Sequence, residues 1–176
     1  SYVLEPTPQS ALAYTITIKG LQGGHSGMDI HKGFGNANKL MARLLYDGFD
    51  RYGLRISRID GGNLRNAIPR ECFALLVVDT VHQTNFEHAT TALISDIENE
   101  YSSIEPGLCI VLNSCELPET VMELEVQQPL LKSLQAAHNG VYRMSPVIDG
   151  LVETSNNVAR VKVDNGQCSI GCLTRS

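Results

Sequence analysis

The run Cys72-Phe73-Ala74-Leu75-Leu76-Val77-Val78-Asp79 does most to limit the fold. It is apolar at nearly every position, so it reads as a strand placed centrally in its sheet. The stretches around it alternate in period. Tyr14, Ile16 and Ile18 alternate with Thr15, Thr17 and Lys19, the pattern of a half-buried strand. After a glycine-rich stretch from Gly20 to Gly35, Ala37, Leu40, Met41, Leu44 and Leu45 recur on one helical face. Residues 54–59 read as a strand stopped by Gly61-Gly62. Thr84-Asn85-Phe86-Glu87 has the form of a capping box, opening a second helix marked by Phe86, Ala89, Leu93, Ile94, Ile97 and Tyr101. Residues 108–112 supply a fourth strand. The order β-α-β-β-α-β predicts an α+β fold over residues 10–115, a ferredoxin-like antiparallel sheet with both helices on one face.

A partial second, related half is expected over residues 126–176. Pro129 suits the first turn of a helix with Leu130, Leu131 and Leu134 on its apolar side and Gly140 at its end. Val158, Val161 and Val163 lead into Asp164-Asn165-Gly166, a strong hairpin turn, with a return strand over 167–174. A complete half would need another helix and strand. With a start at Ser1 rather than Met, this predicts a segment of something longer.

The formal net charge of −5 implies no basic face, which argues against nucleic acid as a partner. The apolar runs are too short to cross a bilayer, and no basic and apolar leader opens the chain. Five cysteines, at 72, 109, 115, 168 and 172, form an odd, scattered set. They predict reduced, mostly buried thiols in a cytoplasmic protein rather than a disulfide framework or a zinc site.

Few residues could carry chemistry. His25 and Ser26 are neighbours, but no Gly-x-Ser-x-Gly elbow is present. The Gly20–Gly35 stretch follows a strand and precedes a helix, yet neither glycine spacing of a phosphate-binding loop occurs. His25, Asp29 and His31 form a local cluster. For Asp29 and His31 the favoured reading is a polar loop capping the following helix, Asp29 lying near the helix start for dipole reasons. His25 differs, because Gly23, Gly24, Ser26 and Gly27 surround it. Such a setting lets a ligand come close to the backbone, so His25 reads as a contact residue. In Gly61-Gly62-Asn63-Leu64-Arg65-Asn66-Ala67-Ile68-Pro69, Asn66 either bonds its own backbone in a turn or presents its amide to a ligand. Local chemistry leaves these readings level.

Together the two strings are more specific. Gly20-Leu21 and Gly23-Gly24-His25-Ser26-Gly27-Met28-Asp29-Ile30-His31, then Asn63-Leu64-Arg65-Asn66-Ala67-Ile68-Pro69-Arg70-Glu71, closely resemble the bacterial aminoacyl-histidine dipeptidases, the peptidase D group of zinc exopeptidases related to carnosinase and carboxypeptidase G. The resemblance continues through Asn139–Ser145, Gly150–Ser155 and Leu173–Ser176, so it spans essentially the whole chain. It implies that residues 1–176 are a lid of the dimerisation type, without the catalytic domain. Two zinc ions and the catalytic acid/base Glu would lie in that absent domain, and no residue here would bind metal. The resemblance further implies that His25 stabilises the oxyanion formed at the scissile carbonyl of an Xaa-His dipeptide. Asn66 would contact the substrate backbone, and Arg175 would grip the C-terminal carboxylate, Arg143 being the weaker match. Implied partners are the dipeptide, the chain's own catalytic domain and a second lid. The alternative is a non-catalytic ferredoxin-like module that binds a ligand or a protein.

Overall fold

The computed structural model describes all 176 residues. In chain order the first elements are β1 (Leu4–Pro6), β2 (Ala11–Lys19), β3 (Gly24–His25), a 3-10 turn (Ile30–Lys32) and α1 (Ala37–Tyr52). Then come β4 (Arg55–Gly61), β5 (Ala67–Ile68), β6 (Cys72–Asp79), a 3-10 turn (Thr80–His82), α2 (Gln83–Tyr101) and β7 (Cys109–Cys115). The remainder is β8 (Thr120–Met122), α3 (Leu124–Ala136), β9 (Gly140–Met144), β10 (Val152–Asp164) and β11 (Gln167–Arg175).

The main sheet has the order β11-β10-β4-β6-β2-β7, every neighbour antiparallel. Its β4-β6-β2-β7 portion is the ferredoxin-like unit, and β6 stands centrally as its unbroken apolar run requires. The helices lie on one face: α1 packs against α2, α3, β2 and β6. Between helices and sheet lies one core that includes Ile16, Ile18, Leu40, Met41, Leu45, Ile56, Leu76, Phe86, Leu131 and Val161. Each fully buried aliphatic contributes about 1.5–3 kcal/mol.

Helix α1 is held at both ends. The Asn36 side chain accepts from the backbone N–H of Asn38 and Lys39, and Gly53 closes the last turn at φ 63°. Helix α2 does not begin at the Thr84 box. Asp79 caps the 3-10 turn before it by accepting from Val81 N–H at 2.9 Å, and the helix follows directly from that turn. Glu87 is therefore free to accept from the Tyr14 hydroxyl at 2.7 Å. Helix α3 starts at Leu124, so Pro129 lies beyond the first turn, exposed, where water can solvate the carbonyl its missing N–H leaves unpaired. Gly140 opens β9 instead of closing the helix.

The stretch from residue 126 is continuous with what precedes it. Val161, Lys162 and Val163 of β10 pair with Gly61, Asp60 and Ile59 of β4. On that same edge β10 pairs with β9 from Val152 to Asn156, which leaves a gap between the two partners. Side-chain amides fill it. Val158 N–H donates to Asn139 Oδ1 at 2.9 Å, and Val158 C=O accepts from Asn36 Nδ2 at 3.2 Å and Asn38 Nδ2 at 3.1 Å. Gln127 does the same for β4: it accepts from Ile56 N–H and donates to Leu54 C=O, both at 2.7 Å. An amide can take a strand's place because it carries both donor and acceptor.

Candidate functional site: the His25 loop and its neighbours

The loop after β2 is tied at its base by Glu105, which is 2% exposed. Its carboxylate accepts from the backbone N–H of Gln22 and of Gly35, each at 2.8 Å. Within the loop, Gly23 and Gly24 have φ of 68° and 145°, and a Cβ at Gly24 would lie 2.9 Å from the Cβ of Asp29. Only glycine fits there. This sharp path lets Gly24 and His25 pair with Ile68 and Ala67 in the β3–β5 ladder. Ser26 N–H then donates to Asn66 C=O at 2.8 Å. The two strings singled out in the sequence are thus one structure.

His25 Nδ1 accepts from the N–H groups of Gly27 and Met28, each at 3.2 Å. A nitrogen that accepts carries no proton, so the imidazole hydrogen sits on Nε2. The ring is exposed, and Nε2–H is its free donor. Asp29 does not act as a helix cap: its side chain makes no capping bond to the 3-10 turn. It accepts instead from His25 N–H at 2.8 Å and from Lys32 Nζ at 2.7 Å, bracing the His25 backbone. Asn36 caps α1 in its place. His31 is exposed on the 3-10 turn.

The hydrogen bond from Lys32, and next the bond from the His25 backbone, hold the Asp29 carboxyl below the usual carboxylate range. The brace is therefore complete above the ordinary aspartate value and is lost as pH falls through the lowered one. We expect the His25 amide resonance to titrate with a midpoint below the ordinary aspartate value. A midpoint at or above that value in an NMR titration would show that Asp29 does not brace the loop.

Arg175, at the end of β11, donates from Nη1 to Ser26 Oγ at 2.9 Å. Ser26 is 1% exposed, so the bond fixes the guanidinium against the loop. A Cβ at Gly27 would sit 2.4 Å from Arg175 Nη1; glycine at 27 makes room for the arginine. The rest of the guanidinium fork has no carboxylate partner within the chain. Arg143 is engaged elsewhere, paired with Glu153 at 2.7 Å. Asn66 is exposed. Ser26, the chain neighbour of His25, thus bonds through its backbone to the Asn66 carbonyl and through its hydroxyl to Arg175, which brings three positions far apart in sequence beside one residue.

These residues do not fit a metal ion. No three His, Cys, Asp or Glu side chains converge anywhere in the chain. The sequence offers Ser26 only as a nucleophile without an elbow, and it does not single out Glu105 or the asparagines beside the loop. The signal for the asparagines was the Asn156-Asn157 pair, polar residues opening an otherwise apolar strand pattern. Nothing local pointed to Glu105.

The fold defines a ferredoxin-like α+β domain. Residues 11–105 match the family model described as the peptidase dimerisation domain, and the chain belongs to that family. It is 37% identical over 172 residues to the cytosol non-specific dipeptidase of Escherichia coli strain K12, covering 98% of this chain and 36% of that protein. The crystal structure of aminoacylhistidine dipeptidase from Vibrio alginolyticus superimposes with a TM-score of 0.94 at 35% identity, over 99% of this chain and 36% of that one. The chain therefore spans about a third of the length of these relatives. No helix is long and apolar enough to cross a membrane.

Proposed function

We propose that this chain is the lid of a cytoplasmic metal-dependent dipeptidase that cleaves Xaa-His dipeptides, and that two copies pair through it. The observation that carries the reading is that Ser26, next to His25, bonds both the Asn66 backbone and Arg175. In this reading two zinc ions, held by a catalytic domain outside this chain, supply the Lewis acidity for hydrolysis. The chain's own residues bind and orient. Arg175 takes the C-terminal carboxylate with the open side of its fork, and Asn66 takes a backbone group of the dipeptide. His25 donates Nε2–H to the scissile carbonyl oxygen as that oxygen gains negative charge. Closure of the lid excludes water from the site.

The test compares the isolated chain with the full-length protein on Gly-His. The isolated chain is expected to hydrolyse nothing measurable, and the full-length protein to cleave the dipeptide and stop when its metal is chelated. Metal-dependent hydrolysis by the isolated chain would overturn the reading. So would a full-length protein without dipeptidase activity, which would favour a ligand- or protein-binding module.

A further inference from the structure

The β3–β5 ladder that carries His25 is only two residues long on each side and lies outside the main sheet. A ladder that short does not hold its own position. It is tied to the sheet by Asn157 of β10, which is 0% exposed, as well as by the bond from Arg175 of β11 to Ser26. Asn157 Nδ2 donates to Ala67 C=O at 2.8 Å, and Ala67 is the residue paired with His25 and adjoining Asn66. Its Oδ1 accepts from Nδ2 of Asn36 at 3.2 Å, the residue that caps α1. On the neighbouring strand, Asn157 lies opposite Leu173 and Ser155 lies opposite Arg175. One buried amide thus links the strand end that places Arg175, the ladder that places His25 and Asn66, and the cap of α1.

We propose that Asn157 is a positioning residue for this site, setting the height of the His25–Asn66 ladder relative to Arg175. The inference rests on the reading that His25 and Asn66 act on substrate. Asn157 itself is buried and touches no ligand; it acts through Ala67. Its amide satisfies both Ala67 C=O and Asn36 Nδ2, which a carboxylate of the same shape cannot do, because it would turn a second acceptor toward the carbonyl.

The experiment measures kcat, KM and thermal midpoint for the full-length protein on Gly-His, with zinc present. The variants are Asn157→Ala, Asn157→Asp, His25→Ala and the double variant His25→Ala/Asn157→Ala. Asn157→Ala is expected to lower kcat about 10- to 100-fold, as misplacement of a reacting group does, with KM changed less than threefold. In the His25→Ala background the same substitution is expected to cost less than about twofold further, because it acts through a group already absent. A double variant whose losses multiply in full would mark Asn157 as structural only, and so would a kcat per folded molecule equal to wild type. Should Asn157→Ala not fold, Asn157→Ser, small enough to admit a bridging water, is read by the same criteria. Wild-type kcat in His25→Ala would instead sink the site reading on which the inference depends. A loss in His25→Ala beside normal Asn157 variants would sink the inference alone.

Discussion

Replacing His25 with alanine in the full-length protein is expected to lower kcat by roughly 10²–10³ while leaving KM nearly unchanged. The split follows from where the donor sits. Two backbone N–H groups occupy Nδ1, so the ring presents its hydrogen at Nε2 before any substrate arrives. A donor fixed in advance gains most when the carbonyl oxygen becomes an oxyanion, and little while that oxygen is neutral. Its removal therefore weakens the transition state more than the bound dipeptide. A variant with normal kcat and raised KM would show that His25 only binds. Full kcat and KM would remove it from the site.

The second large effect is expected at Arg175. Arg175→Ala should lower kcat/KM by about 10²-fold, chiefly through KM, because the carboxylate keeps its charge throughout and is gripped equally before and during reaction. Charge-assisted bonds of this kind are worth about 1.5–3 kcal/mol. Arg175→Lys should recover little. The native guanidinium already spends Nη1 on Ser26 and keeps a planar fork for the substrate, whereas an ammonium offers no such division of labour. A dipeptide amide, lacking the carboxylate, gives the control: wild type and Arg175→Ala should hydrolyse it at similar rates. If the variant loses as much on the amide as on the acid, Arg175 holds the loop through Ser26 and does not read the carboxylate.

Legibility in the sequence followed the range of the interaction. Cys72–Asp79 could be recognised as central because its apolar side chains are consecutive and local. The Asp164-Asn165-Gly166 turn was equally plain, and Asn165 and Gly166 take the positive φ values, 45° and 76°, that such a hairpin demands. The local glycine setting marked His25, while family resemblance was needed to select Asn66 and Arg175. Periodicity cannot report which strand a strand will choose as neighbour. Hence the pairing of Val161 with Gly61, across the length of the chain, was not foreseen. Glu105 was hidden for the same reason: a lone glutamate after a helix gives no hint that it will close a loop begun at Gln22. The capping box at Thr84 misled because Asp79 starts the turn earlier, a competition between two good caps that a motif alone does not rank.

The gap along β10 is closed by Asn36, Asn38 and Asn139, and Asn157 fastens the ladder beside it. Amides neither gain nor lose protons in water, and carrying no net charge they are indifferent to counterions. The β10 side of the framework under His25 and Arg175 is therefore built from groups whose geometry stays constant when acidity or ionic strength changes. A scaffold of carboxylates and lysines at the same places would have drifted with both. Whatever acid, base or salt response the assembled protein displays does not arise from these amides.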